Sequence, residues 1–410
     1  MIKNNVISIS GEPVTGKSSN IRAIKQKLIE KGFKEENIHI ISAGHRFREY
    51  FNEILNFIKS YDNDEKLKEM YDEGVIKEII ENPEYRSTLT KVMAKLKSMD
   101  IMDSVSIEQA NNMPELREIR ALVDTIIDEE IRRIGQEINQ KERNDEVWIM
   151  DSRLAFKNIP DSFSVRLTSR PDIAGKRLFD DKSRGEEDSA YESVEEAINQ
   201  REKRRNGEIK RYIERYNVDL TDENNYDLII DTSFSEINDI SDTIIECLNR
   251  YKENRFIPKL WASPKLMLPL QDEITTCRPT GNGTSIDDIR ELIRKNGYDP
   301  SYPITVVEVD GRKYIIEGHH RNFAAAYERK TLVPYEVVAR DDENMPKCYW
   351  RGEPARYVIK ALTKDKLYGH EGFLDGITKG QFSYNQIYPN IYAELDEREK
   401  REQAEHPELY

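Results

Sequence analysis

Short apolar runs separated by longer amphipathic stretches make up the first 250 residues of the chain. The run at 6–10 is followed by Ile21, Ile24 and Leu28 at helical spacing, which predicts a strand and then a helix. Further apolar runs recur with helical patterns between them, an alternation that is typical of an α/β protein. The predicted strands cover residues 6–10, 38–41, 146–150, 163–167 and 226–230.

The pattern changes after residue 250. Residues 256–269 are punctuated by prolines, which suggests a linker into a second, smaller α+β domain. The elements predicted there are a helix capped by Ser285, and strands at 304–309 and 314–316 joined by an Asp310-Gly311 hairpin turn. We expect domains at 1–252 and 256–345, followed by an extension at 346–410 that we read only as packing and a solvated helix.

Composition narrows the class of protein. The chain has 410 residues, 34% of them charged, and a net charge of −14, which argues against binding to DNA or RNA in general. Its three cysteines, Cys247, Cys277 and Cys348, are far apart and suggest free thiols in a reducing cytoplasm. The first strand begins too early for a signal peptide, and no apolar run reaches membrane-spanning length. We therefore expect a cytoplasmic protein without a membrane partner.

A complete phosphate-loop motif, G-x-x-x-x-G-K-[ST], follows the first strand at residues 11–18. Its glycines let backbone N–H groups turn toward phosphates, and the next helix points its positive end at them. Lys17 can reach the β- and γ-phosphates, and Ser18 can bind Mg²⁺. The alternative is an ordinary strand–helix turn. The predicted nucleoside-triphosphate contacts are Gly11, Thr15, Gly16, Lys17, Ser18 and Ser19.

A second phosphate site is predicted where the next two strands end. Ser42 and Gly44 form a small-residue turn, and Arg48 on the first helical turn can grip a phosphate through two hydrogen bonds. Asp151 ends the third strand, where it can hold a Mg²⁺ shell through water, and Arg153 can face the acceptor. The alternative for Arg48 is a solvated helix charge.

Two charged helical regions are weaker candidates. Residues 176–208 are rich in arginine, including Arg177 and Arg184, and form either an exposed helix or a lid that closes over a transferring phosphoryl group. Asp128 and Arg132 lie beside an apolar stripe, Ile126, Ile127, Ile131 and Ile134, and more simply belong to a solvated face.

Residues 1–250 resemble a cytidylate kinase, nearest the archaeal type, within the nucleoside monophosphate kinases. The matching segments are GEPVTGKS, ISAGHRFR, IDEEIRR, WIMDSRLAF, the arginine-rich lid, ERYNVDL and YDLIIDTS. The resemblance implies a five-stranded parallel sheet with helices on both faces, and ATP- and Mg²⁺-dependent phosphorylation of CMP or dCMP. It implies ATP phosphates and metal at Lys17 and Ser18, the acceptor at Ser42, Gly44, Arg48 and Arg153, and the lid at the arginines from 177 to 205.

A glycine turn recurs in the second half as Glu317-Gly318-His319-His320-Arg321, at the start of an alanine-rich helix. A helix N-terminus with imidazoles and a guanidinium is suited to an anion, here a second nucleotide. Adjacent histidines are more often a surface or packing feature. Without Cys or Asp at ligand spacing we predict no metal there.

Residues 258–340 are similar to the ParB/sulfiredoxin superfamily, on the motif G-H-H-R-x-x-A-A. Sulfiredoxin chemistry needs a cysteine, which the histidines replace. DNA-partitioning members bind CTP and carry a helix-turn-helix, for which the sequence gives no convincing pattern. Free serine kinases carry Asp-Gly-His-His-Arg, so Glu317, or Asp272 or Glu273, would orient an acceptor hydroxyl.

Together these patterns predict phosphoryl transfer from ATP to CMP or dCMP by the first domain, with Lys17, Arg177 and Arg184 as catalytic residues. The second domain would be a small-molecule kinase with Glu317 as its catalytic carboxylate, or a sensor of CTP or ADP. The alternative for the whole chain is a non-catalytic nucleotide sensor or a DNA-partition adaptor.

Overall fold

The computed structural model describes residues 5–60, 74–98, 113–140, 145–181, 191–269, 285–309, 311–340, 346 and 355. The chain divides into two compact units. The first comprises Met1–Ser10, Leu28–Ser164 and Gly175–Leu220, and the second comprises Gly11–Lys27, Val165–Ala174 and Thr221–Tyr410. Over the described residues the fold is α/β, as predicted, with ten strands that pair mostly in parallel and eleven α-helices.

All seven predicted strands are present, with ends within two residues of those expected. Runs of β-branched residues produce them, because such side chains fit a pleated, buried surface. Three strands were not predicted, the three-residue β6 and β7 and the eight-residue β10. The ten are β1 (Asn5–Gly11), β2 (Ile38–Ser42), β3 (Val147–Asp151), β4 (Phe163–Thr168), β5 (Leu228–Asp231), β6 (Leu260–Ala262), β7 (Met267–Pro269), β8 (Ile304–Val309), β9 (Arg312–Glu317) and β10 (Val333–Arg340).

The helices of the described residues follow the apolar spacing of the sequence. The predicted N-cap of the helix Ile286–Asn296 is confirmed. The Ser285 hydroxyl accepts a hydrogen bond from the N–H of Asp288, and the Asp288 carboxylate accepts one from the N–H of Ser285. The helices are α1 (Lys17–Glu30), α2 (Ala43–Ser60), α3 (Gly74–Glu81), α4 (Pro83–Ser98), α5 (Arg117–Gln140), α6 (Ala155–Asn158), α7 (Pro171–Asp180), α8 (Val194–Tyr216), α9 (Ile237–Lys252), α10 (Ile286–Asn296) and α11 (His319–Tyr327).

In the first unit, β3 lies between β1 and β2, and both pairs are parallel. Helices α2 to α5 bring their apolar stripes together into one core. The predicted stripe of α5 is confirmed at Ile126, Ile127 and Ile131, which are all buried, while Ile134 is partly buried. This packing fixes the position of the carboxyl ends of β2 and β3.

In the second unit, the strands run in the order β4-β5-β6-β10-β8-β9-β7. Strand β6 lies in the stretch that we interpreted as a linker, yet it pairs in parallel with β5 and antiparallel with β10. Its Trp261 is only 5% exposed and donates its indole N–H to the carbonyl of Pro258 at 2.8 Å. Strands β4 and β5 and the strands of the C-terminal half therefore form one continuous run within this unit.

Candidate functional site

The phosphate loop between β1 and α1 has a backbone that needs its two glycines. A Cβ on Gly11 would lie 2.8 Å from the carbonyl oxygen of Leu167, closer than such atoms approach. Gly16 has φ +81°, in the left-handed region that favours glycine. The motif therefore forms a tight turn directly before the first helix.

Side chains inside the loop hold it in shape. The Lys17 ammonium donates to the carbonyl of Gly11 at 2.9 Å, and the Thr15 hydroxyl donates to the carbonyl of Glu12 at 2.9 Å. Thr232, directly after β5, donates its hydroxyl to the carbonyl of Thr15 at 3.1 Å. The loop is thus closed around a cation and anchored to the neighbouring strand, with Ser18 exposed at the start of α1.

One residue of this site was missed by sequence reasoning. Arg166 of β4 is buried, and its guanidinium lies 3.4 Å from the carboxylate of Glu12, the second residue of the loop. The signal was available, because Arg166 is a charged residue in the middle of an apolar run that predicts a buried strand. Such a residue needs a partner, which here is the loop itself.

The predicted second phosphate site lies in the first unit. Ser42 and Asp151 are aligned in the parallel register of β2 and β3, and the Ser42 hydroxyl donates to the Asp151 carboxylate at 3.0 Å. The N–H of His45 donates to the Ser42 hydroxyl at 3.4 Å. A Cβ on Gly44 would lie 4.0 Å from the guanidinium of Arg48. Ser42, Asp151 and Gly44 therefore lie where α2 begins, whereas Arg48 is exposed on the second turn of α2 and not on the first turn as predicted.

Other predicted groups of the first unit are already paired. Arg153 forms an ion pair with Glu208 of α8, and both side chains are 20% exposed. Asp128 accepts from the Asn158 amide at 3.1 Å, and burial raises the pKa of its carboxyl above the usual value. Arg132 is exposed.

The remaining predicted residues cannot be placed in either group. Arg177 lies on α7, whereas Arg184, Asp272 and Glu273 lie outside the described residues.

The second glycine turn also precedes a helix. Gly318 has φ +94° and leads into α11, and Arg321 donates to the carbonyl of Pro303 at 3.2 Å. Burial lowers the pKa of His319 to about 3, and burial and then the charge of Arg321 lower the pKa of His320. Both imidazoles are therefore neutral at neutral pH. Glu317 is exposed.

Polar atoms at this second turn are left unpaired within the described part of the chain. They are Nε2 of His320, Nε of Arg321 and Oδ1 of Asn322, all buried. Buried polar atoms normally have partners, so the turn has unused hydrogen-bonding capacity.

Metal sites and membrane-spanning helices are two other features that the described residues could contain. No group of three or more His, Cys, Asp or Glu side chains within them is arranged to hold a metal ion. Of the helices in the described segments, none has the length and apolar character needed to cross a bilayer.

Comparison with known proteins gives one informative relative. No family model matches the chain. The chain is similar to an S-adenosylmethionine-dependent nucleotide dehydratase of Lacinutrix mariniflava, with 33% identity over 154 residues. The matched segment is 37% of this chain and 27% of that protein, so the chain spans about a quarter of the relative's length.

This relative corrects the predicted activity. Its name describes a dehydration that depends on S-adenosylmethionine, a different reaction from phosphoryl transfer. The prediction of a kinase acting on CMP, dCMP or a small-molecule acceptor, with ATP and Mg²⁺ as cofactors, is therefore wrong. The physical reason is that a phosphate loop specifies how phosphates are held, and not which bond reacts.

Proposed function

We propose that this chain is part of a nucleotide-processing enzyme and that its phosphate loop holds the phosphates of a nucleotide. The observation that carries this proposal is the closed loop itself, with Gly16 in the left-handed region and the Lys17 ammonium 2.9 Å from the carbonyl of Gly11. A tight backbone turn at a helix N-terminus, with a cation inside it, is suited to a phosphate group.

The relative supports the substrate class, since its name includes a nucleotide. The dehydration is named for that protein, of which the match covers only 27%. We propose that the sheet and helices around the loop have the architecture of nucleoside monophosphate kinases. In this chain that architecture would bind a nucleotide. The cytoplasm remains our proposed location, on the strength of the separated cysteines.

Two further groups of residues are proposed as nucleotide contacts within the same enzyme. Ser42, Gly44, Arg48 and Arg153 would hold a phosphate in the first unit, with the Asp151 carboxylate held by the Ser42 hydroxyl. In the second unit, the turn that begins at Gly318, in the ParB/sulfiredoxin-like half, would hold a second nucleotide. Its support is the unpaired capacity of His320 and Arg321 at the start of α11.

Calorimetry on the full chain tests the proposal with a panel of nucleoside mono-, di- and triphosphates. We expect Lys17→Ala to weaken triphosphate binding about 30-fold, because a hydrogen bond to a charged group contributes about 2 kcal/mol. Lys27→Ala is the matched control, since Lys27 lies on the same helix but pairs with Asp242 at 2.6 Å. Equal binding by the wild-type and Lys17→Ala proteins would contradict the proposal.

Turnover is followed in the same panel by mass spectrometry, with and without S-adenosylmethionine. Loss of one water from a nucleotide, only when S-adenosylmethionine is present, would extend the relative's reaction to this chain. A nucleotide that binds and remains unchanged under both conditions would indicate that this chain binds nucleotides without processing them.

A further inference from the structure

Arg166 occupies an unusual position for a charged residue. It lies in the middle of β4 between Val165 and Leu167, which are both fully buried, and is itself only 8% exposed. Burial of an unpaired guanidinium costs several kcal/mol, so such a residue persists only with good partners. Its contacts therefore indicate what it does.

Three contacts orient the Arg166 side chain. One guanidinium nitrogen donates to the carbonyl of Thr221 at 3.0 Å, and the ring of Tyr226 lies 5.7 Å from the guanidinium carbon. The other terminal nitrogen lies 3.4 Å from the Glu12 carboxylate. The first two contacts leave one nitrogen of the fork directed at the phosphate loop.

The charge of Glu12 explains why the loop needs this partner. Glu12 follows Gly11 directly, and its carbonyl accepts the Thr15 hydroxyl that closes the loop. A carboxylate in a loop that receives phosphates opposes their binding by Coulomb repulsion. The side chains of Arg166 and Glu12 are only 10% and 14% exposed, so solvent screens their charges weakly.

We propose that Arg166 is a positioning residue of the phosphate loop, which holds the Glu12 carboxylate and offsets its charge so that the loop discriminates nucleotides by their number of phosphates. This inference rests on the proposed function of the loop. Removal of Arg166 takes one positive charge from beside the loop, and the loss is felt most by the nucleotide with the most negative charge.

The test is a charge series on the full chain at fixed salt. Dissociation constants are measured for one nucleoside as its mono-, di- and triphosphate, with wild type, Arg166→Met, Glu12→Gln and the double variant. For Arg166→Met we expect about tenfold weaker triphosphate binding and a smaller loss for the monophosphate. Glu12→Gln should restore most of that affinity in the double variant, and Arg166→Lys should retain most of it.

Arg290→Met is the matched control for loss of a paired arginine in the same unit. Arg290 pairs with Glu328 at 3.0 Å and Asp287 at 2.9 Å, and its substitution should leave all three constants unchanged. If Arg166→Met does not fold, the Glu12→Gln variant alone tests the proposal. Removal of the Glu12 charge should strengthen binding of the triphosphate more than binding of the monophosphate.

The results of this charge series distinguish failure of the Arg166 proposal from failure of the proposed nucleotide binding. No nucleotide binding by wild type would overturn both. Wild-type binding, together with an equal loss for all three nucleotides and no rescue by Glu12→Gln, would show that Arg166 only supports the fold of β4.

Discussion

The two glycine turns of the second unit share a backbone design and differ in charge. Gly16 precedes Lys17 with φ +81°, and Gly318 precedes His319 with φ +94°, so each turn delivers the chain into a helix through the left-handed region. The first turn has a lysine ammonium inside it. The second has two imidazoles whose pKa values are lowered by burial, so that both are neutral at neutral pH.

This difference in charge distinguishes two contributions to anion binding, the backbone N–H donors of a helix N-terminus and a positively charged side chain. Helix N-termini offer N–H donors to any anion, and this contribution is common to both turns. A permanent cation adds attraction that does not depend on pH. We therefore expect the phosphate loop to bind nucleotides more tightly than the Gly318 turn, where Arg321 is the charged group and already donates to Pro303.

The largest expected effect tests what the two turns have in common, which is the run of strands that supports both. Trp261 of β6 lies opposite Ile230 of β5 and Pro334 of β10. Trp261→Ala should lower the free energy of unfolding by about 3–5 kcal/mol, because it leaves a cavity in a buried site. Urea denaturation, monitored together with nucleotide binding, checks this.

The control is Phe256→Ala, since Phe256 is 63% exposed in the same stretch and its loss should cost less than about 0.5 kcal/mol. Equal unfolding midpoints for both variants would mean that β6 does not contribute to the stability of the second unit.

The next prediction concerns the left-handed backbone conformation that Gly16 and Gly318 share. Gly16→Ala and Gly318→Ala should each lower the free energy of unfolding by about 1–2 kcal/mol, because an alanine in the left-handed region is strained. Gly207→Ala is the matched control, since its Cβ meets open space within α8 and should stabilise the protein by about 0.5–1 kcal/mol. Thermal melts measure the melting temperatures of the three variants. A shift of all three melting temperatures in the same direction would contradict a special role for the two left-handed glycines.

The third effect concerns the cation of the weaker turn. In a Lys17→Ala background, in which the phosphate loop binds about 30-fold more weakly, Arg321→Ala should weaken nucleotide binding at the second turn about tenfold, or about 1.4 kcal/mol. Titration calorimetry measures it, with Arg329→Ala as a control arginine beyond the end of α11. A Lys17→Ala protein that binds no nucleotide would remove the second turn as a nucleotide site.

The last expected effect is a pH dependence of stability. The folded pKa of His319 is about 3, below its usual value of 6.5, so the unfolded chain binds more protons between these values. Stability contributed by neutral His319 is complete above pH 6.5 and falls as the pH drops toward 3. His319→Gln should flatten this dependence between pH 7 and pH 5, as measured by urea midpoints. An unchanged slope would mean that His319 titrates normally in the folded protein.

Sequence reasoning predicted the local elements well, because apolar spacing is a local property. It missed β6, whose three residues are too few for a pattern and whose strand identity comes from β5 and β10 on either side. The same holds for the partnership of Arg166 and Glu12, which are 154 positions apart in sequence. The phosphate loop was recognisable because its glycines are needed by its own backbone, whereas the reaction depends on groups that the motif does not contain.

Strand β6 also determines how the chain responds to being cut. After a cut near residue 256, β5 and β6 would be held together only by their parallel pairing and packing, and any unfolding would let β6 leave the edge of β5. Thr232, which donates to the phosphate loop, directly follows β5 and would lose the neighbouring strand if β6 left. Both glycine turns therefore depend on the same run of paired strands, and loss of the β5–β6 pairing would affect both.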